Sequence, residues 1–229
     1  MTAMVKKYKG TFTDAFGTTE IVVVNDFDIL SVEVDGIRFE GEEFDDFQII
    51  DKEKHTIAQL QRFTFIEDTI CDYKITVFIP QVILNKQNDS KVITDLIVEY
   101  KVGKPTINKR IESRKIKLLL NLGNEKFEGT SEVYIDDAFD KIINQFKGKY
   151  AFKNCYGCLY SDYSPYGQQG FGGLFCFVQQ KEKYLKVKIP PDSYKYDYIS
   201  EFNNGFDVVQ EIYCCDKYKI RKSGVGYRG

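Results

Sequence analysis

The strongest constraint on the fold is a recurring period of two in the first half of the chain. Six strand-length segments carry it or are rich in β-branched and aromatic residues: TEIVVV (19–24), DILSVEV (28–34), LQRFTFI (60–66), YKITVFI (73–79), VITDLIVEY (92–100) and RKIKLLLNL (114–122). Alternation puts successive side chains on opposite faces, as a half-buried strand requires and a helix cannot use. Short turn-forming runs separate them: DAFG, VNDFD, VDG, NKQND, KVGKP and LGN. Parallel strands need crossovers of a dozen or more residues, so these spacings predict antiparallel pairing and a sandwich-like, mainly β first part.

One helix is expected. YIDDAFDKIINQFKGK sets Ala138, Phe139, Ile142, Ile143 and Phe146 on one face, with Asp136 and Asp137 at the positive end of the helix dipole and Gly148 as a stop. It marks a soft boundary between a β-rich domain at 1–148 and a module at 149–229 that can share its core. In that module LFCFV, YLKVKI and DVVQEIY read as strands, joined by the polar, tyrosine-rich PPDSYKYDYISEFNNG. The basic run KVGKPTINKRIESRKIK reads as an exposed sheet edge guarded by charge.

A chain of 229 residues, 43% hydrophobic and 29% charged, can bury a core without disulfides. No apolar run approaches the roughly 18 residues that a spanning helix needs. MTAMVKKYKG lacks the apolar stretch of a secretory leader. The expected setting is therefore cytoplasmic with reduced thiols, where clustered cysteines point to metal or reactivity. Residues 1–148 hold 20 basic against 26 acidic side chains, and residues 149–229 hold 12 against 8, too mild an imbalance for bulk attraction to nucleic acid. The nine acids between Glu33 and Glu53, with Glu42, Glu43, Asp45 and Asp46 at their centre, read as a solvated face or as a docking surface for a basic partner.

Five of six cysteines fall in the last third; Cys71 stands apart. Cys155-Tyr156-Gly157-Cys158 has the spacing that brings two thiolates to one tetrahedral zinc ion, and Cys176 follows after 17 residues, the separation of zinc-ribbon halves. The fourth ligand is Cys214 or Cys215, since adjacent strand residues face opposite ways. The plainer alternative is that these are small buried hydrophobes. A thioredoxin-like reading fails because LYSDYSPYG, a poor helix start, follows the pair. A cysteine–histidine dyad would have to use His55, 100 residues before Cys155. Four thiolates leave no open position on zinc, so such a site is structural, and no P-loop, G-x-S-x-G or H-E-x-x-H motif argues for an enzyme. In the adjoining loop, Tyr160, Tyr163 and Tyr166 either pack against the metal module or meet a partner.

CYGCLYSDYSPYG, FGGLFCF and VQEIYCCDKYKIRKSGVGYRG together resemble a family of uncharacterised bacterial proteins classed as a domain of unknown function. The resemblance implies a metal set of Cys155, Cys158, Cys176 and Cys215, with Cys214 where the family has an apolar residue. It covers about a third of the chain and matches the β-rich half only in general character. Members look like accessory proteins of bacterial competition or surface systems.

The leading expectation is a non-enzymatic interaction protein with one structural zinc, of the immunity type that neutralises a toxin by binding it. Tyr160, Tyr163, Tyr166 and the acidic Glu42, Glu43, Asp45 and Asp46 are its candidate partner-binding residues. The alternatives are a nucleic-acid-associated zinc-ribbon protein using Lys217, Lys219, Arg221, Lys222 and Arg228, and a thiol-based redox protein.

Overall fold

The structure, a computed structural model, describes residues 5–164, 170–187, 199–203, 205–226 and 228. Tyr166 and most of the expected linker PPDSYKYDYIS lie outside these residues. Two compact units divide the chain: Met1–Pro80 with Asp95–Ile142, and Gln81–Thr94 with Ile143–Gly229.

The first unit is antiparallel β. Its strands are β1 (Lys6–Asp14), β2 (Gly17–Asn25), β3 (Leu30–Val34), β4 (Ile37–Gly41), β5 (Gln48–Ile49), β6 (Thr64–Ile66), β7 (Thr69–Cys71), β10 (Arg114–Leu122) and β11 (Glu125–Ser131), with the first part of β8 (Tyr73–Asn85) and the last part of β9 (Ser90–Val102), whose remaining residues belong to the second unit. They form one sheet in the order β11-β10-β9-β8-β1-β2-β3-β4-β5-β7-β6. Chain neighbours pair, except β5 with β6 and β7 with β8, and several do so through tight turns. Val34 faces Ile37 across Asp35 and Gly36, whose φ values of 50° and 76° are those of a primed hairpin turn.

Alternation carries the core. Tyr73, Ile75, Val77 and Ile79 on β8, Leu96, Val98, Tyr100 and Val102 on β9, and Ile116, Leu118, Leu120 and Leu122 on β10 are all buried. Rings cross-link the rows, with Phe12 stacked on Tyr73 at 5.2 Å and Phe39 against Phe63 at 5.0 Å. The expected helix is α2 (Ile135–Phe146), preceded by a single turn, α1 (Ile57–Leu60). Ala138 sits so close to β11 that a Cβ on Gly129 would run into its carbonyl oxygen.

Three local expectations for the chain up to α2 differ from what is found. LQRFTFI is strand only from Thr64, because the preceding Thr56 and Gln59 form a reciprocal capping box that winds Ile57–Leu60 into α1. The basic run does not end in an edge strand. β10 lies between β9 and β11, and its lysines line the polar face of a one-sided sheet, Lys117 pairing with Glu128 of β11 at 2.9 Å. On α2 the buried stripe is Ile135, Ala138, Phe139, Ile142 and Phe146, while Ile143 falls at its margin and is 37% exposed.

The second unit holds β12 (Tyr150–Phe152), paired with the far end of β8, and a small antiparallel sheet in the order β13 (Ser161–Asp162), β14 (Leu174–Cys176), β15 (Asp207–Val209). Its core groups Cys158, Leu159, Tyr160, Phe177, Tyr184, Val187 and Phe202. YLKVKI does not begin as a strand: Tyr184 closes a short helix, α3 (Lys181–Tyr184), so that its ring stacks on Phe177 at 4.7 Å. DVVQEIY is strand only to Val209, and the chain then turns at Glu211.

Candidate metal centre

Asn154 starts the cysteine loop. Its carboxamide oxygen accepts the Gly157 N–H at 3.0 Å, its amide donates to Gln81 at 2.8 Å, and Cys158 N–H closes on the Cys155 carbonyl at 3.1 Å. Gly157 is required by proximity, because a Cβ there would strike the Phe152 carbonyl.

The later segment brackets this loop on both sides. Cys155 N–H donates to Tyr213 O at 2.6 Å, Tyr156 N–H to Glu211 O at 3.0 Å, Leu159 N–H to Lys219 O at 2.7 Å and Arg221 N–H to Gly157 O at 3.0 Å. These bonds carry Cys214 and Cys215 alongside the C-x-x-C step. The β13–β14 register sets Cys176 opposite Ser161, three residues beyond Cys158.

Cys155, Cys158 and Cys176 are buried, Cys215 is half-buried and Cys214 is exposed. Burial pushes the Cys155 thiol well up, and the neighbouring sulfurs of Cys176, Cys158, Cys215 and Cys214 add to it in that order. Burial also raises Cys176, to about 11, against a backbone N–H from Val178 that favours its thiolate. Cys158 is raised by burial too, opposed by the N–H groups of Lys219 and Tyr160. The thiols thus share one locality. Among the described residues, no three Cys, His, Asp or Glu side chains stand together at metal-ligand spacing. Cys71 lies elsewhere, in the first unit, with its thiol toward Thr64 O.

Behind the cysteines lies a buried polar network that the sequence reading missed. Asp162 is fully buried; it accepts the Tyr184 hydroxyl at 2.8 Å and the Arg228 N–H at 3.2 Å, with the guanidinium groups of Arg228 and Arg221 at 3.6 and 3.7 Å. Arg228 also donates to the carbonyls of Tyr156 and Ser161, and its guanidinium lies 4.5 Å from the Tyr156 ring centre. Arg221 donates to the Ser161 carbonyl at 2.7 Å and to the Val225 carbonyl at 3.0 Å. The fully buried Glu211 accepts the Tyr163 hydroxyl and the Gly172 N–H, each at 2.8 Å. Burial pushes its carboxyl up to about 7, against those bonds and the Arg228 charge.

The predicted partner-binding residues take different positions. Tyr160 and Tyr163 are turned inward, 3% and 0% exposed: the Tyr160 ring belongs to the small core, and Tyr163 lies against Tyr156 with its hydroxyl bound to Glu211. In the first unit Asp46 accepts the N–H groups of Glu42 and Glu43, closing their turn, and Asp45 pairs with Arg114 at 2.6 Å. Glu42 remains exposed. Of the basic tail, Arg221 and Arg228 face the interior, Lys217 pairs with Asp216, and Lys222 is exposed. No helix among the described residues is long and apolar enough to cross a membrane.

These features define a mainly antiparallel β protein whose last third is cysteine- and aromatic-rich and is tied together by two half-buried arginines. The chain belongs to a family of unknown function (DUF6304), whose model matches residues 6–161. That match runs from β1 into β13 and takes in Cys155 and Cys158, stopping short of Cys176, Cys214 and Cys215. No curated protein and no solved structure matches the chain.

Proposed function

We propose that the second unit is a non-enzymatic protein-binding module built around one structural zinc ion, held by Cys155, Cys158, Cys176 and Cys215. The observation that carries this reading is the gathering of thiols from three separate stretches of chain, with the backbone N–H two residues after Cys158 and after Cys176 directed at each sulfur. Such N–H groups stabilise thiolates, the form that binds zinc. Cys214 is the exposed member of its pair, and this favours Cys215 as the fourth ligand. Four thiolates close the coordination sphere, so the ion contributes folding free energy rather than turnover. In this reading the module is ribbon-like and the sheet of the first unit packs as a sandwich.

The narrower form of the proposal is an immunity-type protein whose partner is a toxin. A toxin gene directly beside this one supports it; consistent isolation from any such gene overturns it.

Elemental analysis of protein purified without chelators tests the metal. About one zinc per chain is expected, retained in Cys214→Ser and lost in Cys155→Ser. A well-folded wild-type protein without zinc overturns the proposal.

A further inference from the structure

A groove of about 490 Å³ opens on the second unit. Tyr160, Val178 and Tyr218 line it, and the amines of Lys181, Lys217 and Lys219 surround them, with Asp216 as the single carboxylate. The apolar surface is held in place: Tyr160 is buried, and the Tyr218 hydroxyl donates to Phe152 O at 2.7 Å. Lys219 holds its ammonium 6.0 Å from the centre of the Tyr160 ring, while Asp216 lies 3.3 Å from Lys217. The lining therefore carries a formal excess of two positive charges around the half-buried Val178 and Tyr218, with the buried Tyr160 beneath them.

Each wall begins just after a different cysteine. Tyr160 follows Cys158 by two residues, Val178 follows Cys176 by two, and Asp216 follows Cys215 by one. Whatever fixes those cysteines also fixes the groove.

We infer that this groove is the partner-docking site of the module, and that it takes an acidic segment of a protein carrying an aromatic or apolar anchor among its carboxylates. The inference rests on the zinc-module reading and names the surface through which the module works. Aromatic patches ringed by polar groups concentrate binding energy, and lysines accept spaced carboxylates as point charges. A nucleic-acid backbone fits less well. The planar forks suited to phosphate, Arg221 and Arg228, are turned inward, and Asp216 interrupts the basic rim.

The test uses the full chain and fluorescence anisotropy against three labelled heptapeptide pools, acidic, uncharged and basic, each with a central phenylalanine. A 12-nucleotide single strand is the fourth probe. The acidic pool is expected to bind about tenfold tighter than the others. The triple variant Lys181→Gln, Lys217→Gln, Lys219→Gln is expected to lose about tenfold in that affinity, as three partly exposed ion pairs allow, with wild-type metal content and melting temperature. The control Lys7→Gln, Lys9→Gln should bind like wild type. Equal binding of the three pools, indifference to the triple variant, or tighter binding of the oligonucleotide overturns the inference. Lysine-dependent preference for the acidic pool in protein that contains no zinc upholds the groove and overturns the metal reading, so the two fail separately.

Discussion

Glu211 and Arg228 meet at one ring: the Tyr163 hydroxyl donates to the carboxyl at 2.8 Å, and the guanidinium centre lies 5.3 Å from the ring centre. Fully buried, the Glu211 carboxyl keeps its proton to about pH 7, whereas an unfolded glutamate ionises near its ordinary value of 4.5. Between these pH values the folded state binds more protons than the unfolded one, so stability falls as pH rises from about 4.5 to about 7 and then levels off. The shift corresponds to about 3 kcal/mol. Glu211→Gln should remove this component, and the unfolding free energies from urea titrations at pH 5 and pH 8 should lie closer together in the variant by about 2 kcal/mol, the part of the shift that falls in that interval. An unchanged pH slope would show that Glu211 is ionised throughout. Neither residue was legible in the sequence as an interior one. Glu211 sits in DVVQEIY as one polar position of an alternating strand, and its partner Tyr163 is 48 residues away; Arg228 read as a tail charge, with Tyr156 72 residues away. The cysteine cluster stood out because its spacing is a local pattern, whereas a buried acid or an inward-facing arginine is defined by partners that only folding brings near.

Among the elements, α2 shows what periodicity resolves and where it blurs. Phe139 is fully buried and Ile143, four residues on, is 37% exposed, though a helical wheel puts them on neighbouring lines of one face. Phe139→Ala should cost about 3–5 kcal/mol and Ile143→Ala under about 1 kcal/mol. Equal losses by urea denaturation would mean that α2 is rotated about its axis. Strands with dense β-branched and aromatic residues, such as those in β8, β9 and β10, were legible. β1 and β11 were not, and the reason is chemical. KKYKGTFTD and EKFEGTS dilute their apolar row with lysines, and each places a glycine mid-strand, normally a sign against a strand. The structure explains both glycines by close approach, since a side chain would strike the carbonyl of Thr76 at Gly10 and that of Ala138 at Gly129. YLKVKI misled in the other direction, because the aromatic residue that opens its alternation is used to stack on Phe177 from a helical turn.

At the scale of the whole molecule, reading the chain in order suggested a limit near Gly148, yet the compact units are interleaved, with the hairpin tip Gln81–Thr94 grouped with the last third. Linear sequence hides this, since β12 pairs with Ile83–Asn85 only once the chain has returned. The two units also differ in how they are held. The first has strands of up to 9 residues lying wholly within it, while the small sheet of the second has strands of two and three residues, too short to persist without other restraint. Under the proposed function, zinc supplies that restraint by closing loops between Cys155 and Cys215, and its removal should loosen the second unit selectively. Hydrogen exchange with and without chelator measures this residue by residue. Chelation should speed exchange at least tenfold at the amides of Cys155, Cys158, Leu159 and Phe177, whose carbonyl partners all lie within the second unit. Amides in the ladders β1–β4 and β10–β11 should exchange at their original rates, because nothing in their pairing depends on the cysteines. An equal acceleration in both sets would mean that the whole chain opens as one unit, and no acceleration in either would mean that the thiols hold no ion on which the fold depends.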